Sequence, residues 1–378
     1  MTCSRAVLVL LVCLGSFALP ALTAPAPEAG KAGADWAVFR GNPLQTGVAD
    51  SALPDVLTEL WTFKTKDSIE GAPAVAGETA YIGSLDENLY AVSLADGTLK
   101  WAYKGGPFKA SPAVRGKAVY AGDSDGNFHA VDAATGKKLW VFATGAEITG
   151  GCNFFKDLVL FGSYDETLYC LTDAGQEKWR FKTQGPFNGS PAVADGKTFV
   201  AGCDSNVHVI DVTKGNELTT VDLGSQSGAT AAVSGDHLYV GTMGNQVQAI
   251  DWKKGATAWT FQPAKNAQAF YSSAAVTADL VLVGSRDRRI YALDRKTGVE
   301  RWSFATGGRV DSSPVVVGNR VFCGSMDSNL YALDLATGKQ LWRVRLDDPI
   351  SGSPAVAGGK LLIGTQKGTV YCFGAKAP

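Results

Sequence analysis

Three histidines, His129, His208 and His237, are few for an enzyme of 378 residues, and their surroundings do not compose a catalytic constellation. His129 and His208 occupy a recurring position that holds tyrosine at Tyr90, Tyr169, Tyr291, Tyr331 and Tyr371, so both read as structural. His237 stands in a turn before a strand, where solvent exposure is the default. The run Asp123-Ser124-Asp125-Gly126-Asn127 spaces oxygen donors as a Ca²⁺ loop does. The same turn recurs as Leu85-Asp86-Glu87-Asn88 and Met326-Asp327-Ser328-Asn329, and a hairpin explains that recurrence better than a cation does. Glu70 and Asp311 have acid/base chemistry only if the fold brings them into one pocket. No Ser-His-Asp spacing, phosphate-cradling glycine loop, HExxH or CxxCH stands out.

Cysteine chemistry is equally sparse. Cys152, Cys170, Cys203, Cys323 and Cys372 remain once Cys3 and Cys13 are set aside with the N-terminal segment. None is adjacent to another or part of a CxxC. Each falls in an expected strand where other repeats carry small or apolar residues, and the reading is buried free thiols. A Cys152–Cys170 disulfide stays open in an oxidising compartment. Residues 1–24 carry Arg5, an apolar run over 6–19 and then small residues, the pattern of a secretory signal peptide. Cys13 follows Val12 inside the apolar run rather than a small residue, so lipid anchoring is not expected. The mature protein is expected outside the cytoplasm, in the periplasm or beyond.

The elements that must position any site come from an internal period. Trp61, Trp101, Trp140, Trp179, Thr219, Trp259, Trp302 and Trp342 follow one another at intervals of 39 to 43 residues. A second series, Tyr90, His129, Tyr169, His208, Gln248, Tyr291, Tyr331 and Tyr371, keeps step half a repeat away. One repeat shows four short strands: Ser111-Pro112-Ala113-Val114, then 117–122, then 127–132 after the Asp125-Gly126 turn, then Leu139-Trp140-Val141-Phe142. Repeated eight times without a helical pattern, this predicts an all-β, eight-bladed propeller of four-stranded antiparallel blades. The last repeat ends without a fourth strand, while Glu59-Leu60-Trp61-Thr62-Phe63 is a fourth strand with no first three before it. Joining them closes the ring and removes bare edges. The domain reading is a signal peptide over 1–24, an N-terminal leader over 25–56 and the propeller over 57–378.

Composition agrees. Hydrophobic residues make up 46% of the chain and charged residues 19%, which supplies a core and excludes a disordered chain. A formal net charge of −1 leaves no global field for nucleic acid or an anionic membrane. Nucleic acid is therefore not expected as a partner, and membrane contact is peripheral at most.

The segments 130–140, 292–302 and 332–342 follow Ala-x-Asp-x-x-Thr-Gly-x-x-x-Trp throughout. This resembles the tryptophan-docking motif of the pyrroloquinoline-quinone (PQQ) repeat propellers, and Trp36-Ala-Val-Phe-Arg-Gly-Asn-Pro is similar to the opening of stand-alone members. The resemblance implies that Trp61, Trp101, Trp140, Trp179, Trp259, Trp302 and Trp342 each stack on the glycine turn of the next blade. The family's dehydrogenases carry an adjacent Cys-Cys pair, with Ca²⁺-ligating carboxylates and a catalytic Asp on long insertions; this chain has no Cys-Cys pair and no long insertion. Among exported single-domain members the analogue is the propeller subunit of the outer-membrane β-barrel assembly machinery. The resemblance implies a non-catalytic, protein-binding scaffold in the cell envelope, monomeric or part of a hetero-complex, with no cofactor. A PQQ-binding oxidoreductase is the alternative.

The remaining candidate surface is the ring's mouth, where each fourth strand links to the next first strand. Equivalent link positions are Glu70, Lys109, Thr149, Asn188, Gly228, Tyr271, Asp311 and Ser351. The preceding residues, Ile69, Phe108, Ile148, Phe187, Phe270, Val310 and Ile350, repeat as apolar and read as packing. Positions that vary read as free surface. The link from Trp259 to Tyr271 spans 12 residues, three more than its longest counterparts. It offers Lys265, Phe270 and Tyr271 beside the basic hairpin Arg286, Arg288 and Arg289, with Arg309 and Asp311 in the next link. Together these compose a docking patch for a carboxylate-bearing partner. The alternative is a tolerated insertion beside a solvated hairpin.

Overall fold

The computed structural model describes residues 1, 2 and 35–376; the expected signal peptide, apart from its first two residues, and the start of the leader lie outside the described residues. Thirty-two strands form eight four-stranded antiparallel sheets, and no helix occurs among the described residues. Blades 1 to 7 span 74–104, 113–143, 153–182, 192–222, 232–261, 275–305 and 315–345. In blade 2 the strands are Ala113–Arg115, Ala118–Gly122, Asn127–Asp132 and Lys138–Ala143, close to the expected bounds.

Position in the ring dictates residue type. Innermost strands crowd the axis and are short, three residues in seven blades and two in the other, with alanine and valine predominating. The two middle strands lie between neighbouring blades and are buried on both faces. Outermost strands alternate between exposed and half-buried residues, as one-sided strands must. Each outermost strand bulges just before its tryptophan position, as between Trp101 and Leu99 opposite Ala91 and Val92. A bulge bends and twists the strand locally, and here it delivers the indole to the next blade.

Blade 8 comes from both ends of the chain. Ala355–Ala357, Lys360–Gly364 and Thr369–Gly374 pair in order, and Thr58–Lys64 completes the sheet antiparallel to the last of them, with Trp61 opposite Cys372. The ring closes by this exchange, as the split repeat predicts.

Six indoles dock as the motif implies. Nε1 of Trp61, Trp101, Trp140, Trp179, Trp259 and Trp302 donates to the carbonyls of Leu94, Ala133, Asp173, Val212, Arg295 and Leu335 in the following blade, at 2.9–3.1 Å. The ring covers the turn glycine: a Cβ on Gly338 (φ +69°) would lie 2.5 Å from Trp302. Trp342 differs. Blade 8 has no turn between its third and fourth strands, because they belong to opposite chain ends, and Trp342 instead meets Phe373 edge to face at 5.6 Å.

The described part of the leader is built into the ring. Innermost strands are edge strands whose outward N–H groups need acceptors, and the leader supplies them blade by blade. Trp36 exchanges two bonds with Val75 at 2.9 Å, and the carbonyls of Ala37, Pro43, Leu44, Thr46 and Gly47 accept from Val114, Val193, Val233, Val276 and Val316 at 2.7–2.9 Å. Asn153 of blade 3 donates to the Pro43 carbonyl at 2.8 Å, and Gly359 of blade 8 donates to Ser51 Oγ at 3.1 Å. Residues 36–51 of the leader thus circle the axis and touch all eight blades.

Candidate functional site

The links between blades and the hairpins between second and third strands share one face, tied together by Leu85 N–H to Ser68 O at 3.0 Å and Met326 N–H to Arg309 O at 3.0 Å. They surround a funnel of about 410 Å³ on the ring axis, with leader Phe39 among its lining residues. All eight expected mouth positions line it: Glu70, Lys109, Thr149, Asn188, Gly228, Tyr271, Asp311 and Ser351. The seven preceding apolar residues are at most 1% exposed, as packing requires.

Below the mouth runs a belt of hydroxyls. Ser111, Thr230, Ser273, Ser313 and Ser353 accept from the backbone N–H of Ala72, Ser190, Thr230, Ser273 and Ser313 in the preceding blades, at 2.8–3.0 Å. Each of these oxygens spends a lone pair on the neighbouring blade and keeps its own proton for the funnel. The belt breaks at Ala72 and Gly151, which have no hydroxyl to offer, and at Ser190, whose hydroxyl accepts no such bond.

One quadrant of the mouth carries the charge. Arg286 clamps Asp311 with both prongs, Nε to Oδ1 at 2.8 Å and Nη2 to Oδ2 at 3.2 Å, and Arg309 Nε joins Oδ2 at 3.0 Å. The Arg286 guanidinium lies over the Tyr271 ring, 3.6 Å from its centroid. Burial works against the Arg286 charge, but its bonds to Asp311 prevail and hold it more firmly protonated than a free guanidinium. Two guanidinium groups share one carboxylate, which leaves one positive charge unmatched, and Arg309 keeps half of its side chain exposed. Glu70 does share the funnel with Asp311, but it pairs instead with Lys109 at 3.5 Å.

The expected docking patch thus divides. Tyr271, Arg286, Arg309 and Asp311 converge on the funnel. Lys265 is exposed on the long link and is absent from the funnel wall. Arg288 occupies the left-handed hairpin position (φ 70°), and Arg289 donates to Ser303 on the outermost strand at 3.2 Å. Phe270 requires correction: it is fully buried against Tyr291, at a ring separation of 6.1 Å, and offers no surface to a partner. It belongs to the apolar series that precedes each mouth residue.

The other candidates resolve as structure. Asp123 accepts from the Asp125 and Asn127 amides at 3.1 and 2.7 Å through Oδ1, and Oδ2 meets the Gly106 amide at 3.0 Å and His129 at 2.7 Å. The aspartate closes its own hairpin. His129 and His208 take the place of the tyrosines that donate to the corresponding aspartates, as Tyr90 does to Asp86 at 2.8 Å. The five described cysteines are free. Cys203 departs from expectation, since it lies half-buried in a mouth hairpin and receives the Asn188 amide at 3.1 Å.

Among the described residues no three His, Cys, Asp or Glu side chains converge, and both Asp311 oxygens are engaged by guanidinium groups.

An axial funnel, eight blades with six tryptophan-docked seams and a closing N-terminal strand define a PQQ-repeat-type propeller. The chain belongs to the family of outer membrane protein assembly factor BamB, whose description matches residues 57–153, 129–259 and 247–376. Among solved structures, BamB from Moraxella catarrhalis is 19% identical over 85% of this chain and 100% of its own, with a TM-score of 0.72. Quinohemoprotein alcohol dehydrogenase from Comamonas testosteroni is 15% identical over 92% of this chain and 82% of its own, with a TM-score of 0.80. A europium-containing methanol dehydrogenase is 16% identical over 91% and 98%, with a TM-score of 0.75. At these identities the likeness is one of fold, shared by an assembly factor and by enzymes alike. No curated protein matches the chain.

Proposed function

We propose that this chain is an exported, non-catalytic scaffold of the cell envelope that receives a carboxylate-bearing segment of a protein partner at its funnel mouth, in the assembly of envelope or outer-membrane proteins. The observation that carries this reading is the Tyr271–Arg286–Asp311–Arg309 cluster, preorganised at the funnel and holding one more positive charge than negative. Guanidinium forks pair bidentately with carboxylates, and an Arg over an aromatic ring has the composition of binding hot spots. Membership of the BamB family favours a role inside a complex.

The test is crosslinking of the mature protein in envelope extract, followed by affinity measurement with the partner recovered. Tyr271→Ala with Arg309→Ala leaves the melting temperature within a few degrees and weakens binding at least tenfold, about 1.4 kcal/mol. Arg288→Ala with Arg289→Ala leaves binding unchanged. Equal affinity in the first pair moves the site off the funnel. The second reading, a quinone-dependent dehydrogenase, is favoured only by likeness to such enzymes in fold. Stoichiometric uptake of PQQ with Ca²⁺ and dye-linked alcohol oxidation would establish it.

A further inference from the structure

One deeply buried charge near the ring axis, that of Arg40, has no counterion among the described residues. Arg40 belongs to a leader loop closed by Gly47 N–H to its own carbonyl at 3.0 Å. Its backbone runs on one side of the axis, between the contacts to blades 2 and 4. Its side chain crosses to the other side, where Nη2 donates to the carbonyls of Ala274 and Pro314, beside blades 6 and 7, at 3.2 and 2.5 Å. Arg40 is 1% exposed, and its Nε and Nη1 have no partner. Three N–H donors of a single cation are therefore buried and unanswered.

Its surroundings repeat the pattern. Gln45, in the same loop, is 0% exposed, and neither atom of its amide has a partner. Trp36 Nε1 is also unpartnered. Arg40 and Gln45 both take left-handed backbone (φ 61° and 62°), a conformation residues with side chains avoid unless the surroundings impose it. Burial pulls the Arg40 pKa down to about 9, and the sole opposing influence is the Cys323 thiol, itself pushed up to about 12 by burial and so neutral. No carboxylate takes part.

A buried cation without a counterion is among the costliest features a fold can hold, and buried polar groups in native proteins find partners. We infer that the axial loop binds one small monovalent inorganic anion, held by the free N–H groups of Arg40 and the amide of Gln45. Gly47 closes the Nη2 edge of the guanidinium, since a single carbon added there would lie 1.9 Å from Nη2, so the anion faces the unpartnered Nη1 side. Charge follows from the single guanidinium. Such an anion fastens the leader inside the ring.

Crystals of the mature protein grown in bromide test this directly. The expected result is an anomalous peak within hydrogen-bonding reach of Arg40; solvent density there without anomalous signal overturns the inference. In parallel, thermal unfolding is followed in chloride and in gluconate at equal ionic strength. Chloride raises the midpoint by at least about 3 °C, and Arg40→Met abolishes the difference. A chloride effect that survives Arg40→Met places the anion elsewhere and overturns the inference as well. If Arg40→Met does not fold, the bromide peak in the native protein decides.

Discussion

The seam between blades 4 and 5 and the six tryptophan-docked seams solve one packing problem from opposite sides. In the docked seams the donor blade supplies the indole, and the acceptor blade supplies a glycine turn and a carbonyl. At the 4/5 seam the donor position is Thr219, which reaches no further than 3.1 Å from where a Cβ on Gly255 would stand. The residue whose carbonyl would accept is itself a tryptophan, Trp252. Its ring leans back across the seam onto Phe199 of blade 4, edge to face at 5.3 Å, beside Lys197, and its Nε1 donates to Gly235 of its own blade at 3.1 Å. The wedge is conserved in substance and reversed in direction. A seam needs buried aromatic area between sheets; which blade contributes it is secondary.

The closing seam breaks the comparison most severely, since blade 8 owes its fourth strand to the other end of the chain. Deleting residues 35–66 removes that strand together with the leader that bonds to the innermost strands of blades 1 to 7. The expected product shows no cooperative unfolding transition and aggregates through exposed edges. Calorimetry and light scattering check this, and a truncated protein melting like the mature chain would refute closure by exchange.

Next in size are the wedges themselves. Trp302→Ala loses an indole, a hydrogen bond and a cap on Gly338, and is expected to lose about 3–5 kcal/mol by denaturant titration. If the reversed wedge is equivalent, Trp252→Ala loses about 3 kcal/mol as well. A loss below about 1 kcal/mol, the level of an ordinary surface substitution, would mean that the 4/5 seam is simply unwedged.

Glycine substitutions sharpen the comparison. Gly338 and Gly255 share a left-handed backbone, φ +69° and +66°, but a Cβ on Gly338 strikes the indole at 2.5 Å, whereas one on Gly255 meets only Thr219 at 3.1 Å. Gly255→Ala is expected to lose about 1–2 kcal/mol from backbone strain alone. Gly338→Ala adds the displacement of Trp302, about 1–3 kcal/mol more. Equal losses at the two sites would show that the indole gives way freely.

What the sequence made legible is whatever recurs every forty residues or so. Trp61 to Trp342, the mouth positions and the apolar residues before them each appear eight times or nearly so, and repetition separates packing from accident. The path of 36–51 was not legible, because a single-copy segment has no second instance to align with, although Arg40 in an apolar-flanked Phe-Arg-Gly run was a visible oddity. Trp252 is hidden for a related reason: the recurring donor series shows only its exception, Thr219, while the compensating tryptophan sits in the acceptor turn. Phe270 keeps misleading company, a long link beside basic residues, but its place in the apolar series assigns it to the core. The Arg286–Asp311–Arg309 clamp joins two separate loops, and only the closed ring brings them together.

The smallest expected effect concerns the two blades that carry histidine in place of tyrosine. In blade 4, His208 meets Asp204 at 2.7 Å through Nε2 and Glu217 at 2.6 Å through Nδ1. The tyrosine blades have no counterpart to that second carboxylate. Burial opposes ionisation of Glu217, but bonds from His208 and Thr220 prevail and hold its pKa below the ordinary 4.5. A depressed carboxylate pKa contributes stability that is complete above the unfolded value and fades as pH falls through the lower folded one. Glu217→Gln is therefore expected to be less stable than the parent at pH 7 and to converge with it near pH 3, so that its acid limb is shallower. Because the Glu217 side chain is more than a third exposed, solvent screening limits the gap to about 0.5 kcal/mol. Denaturant titrations at the two pH values decide it. A gap that persists unchanged into acid would mean that Glu217 supports blade 4, on the side already short of its docking tryptophan, by packing and not by charge.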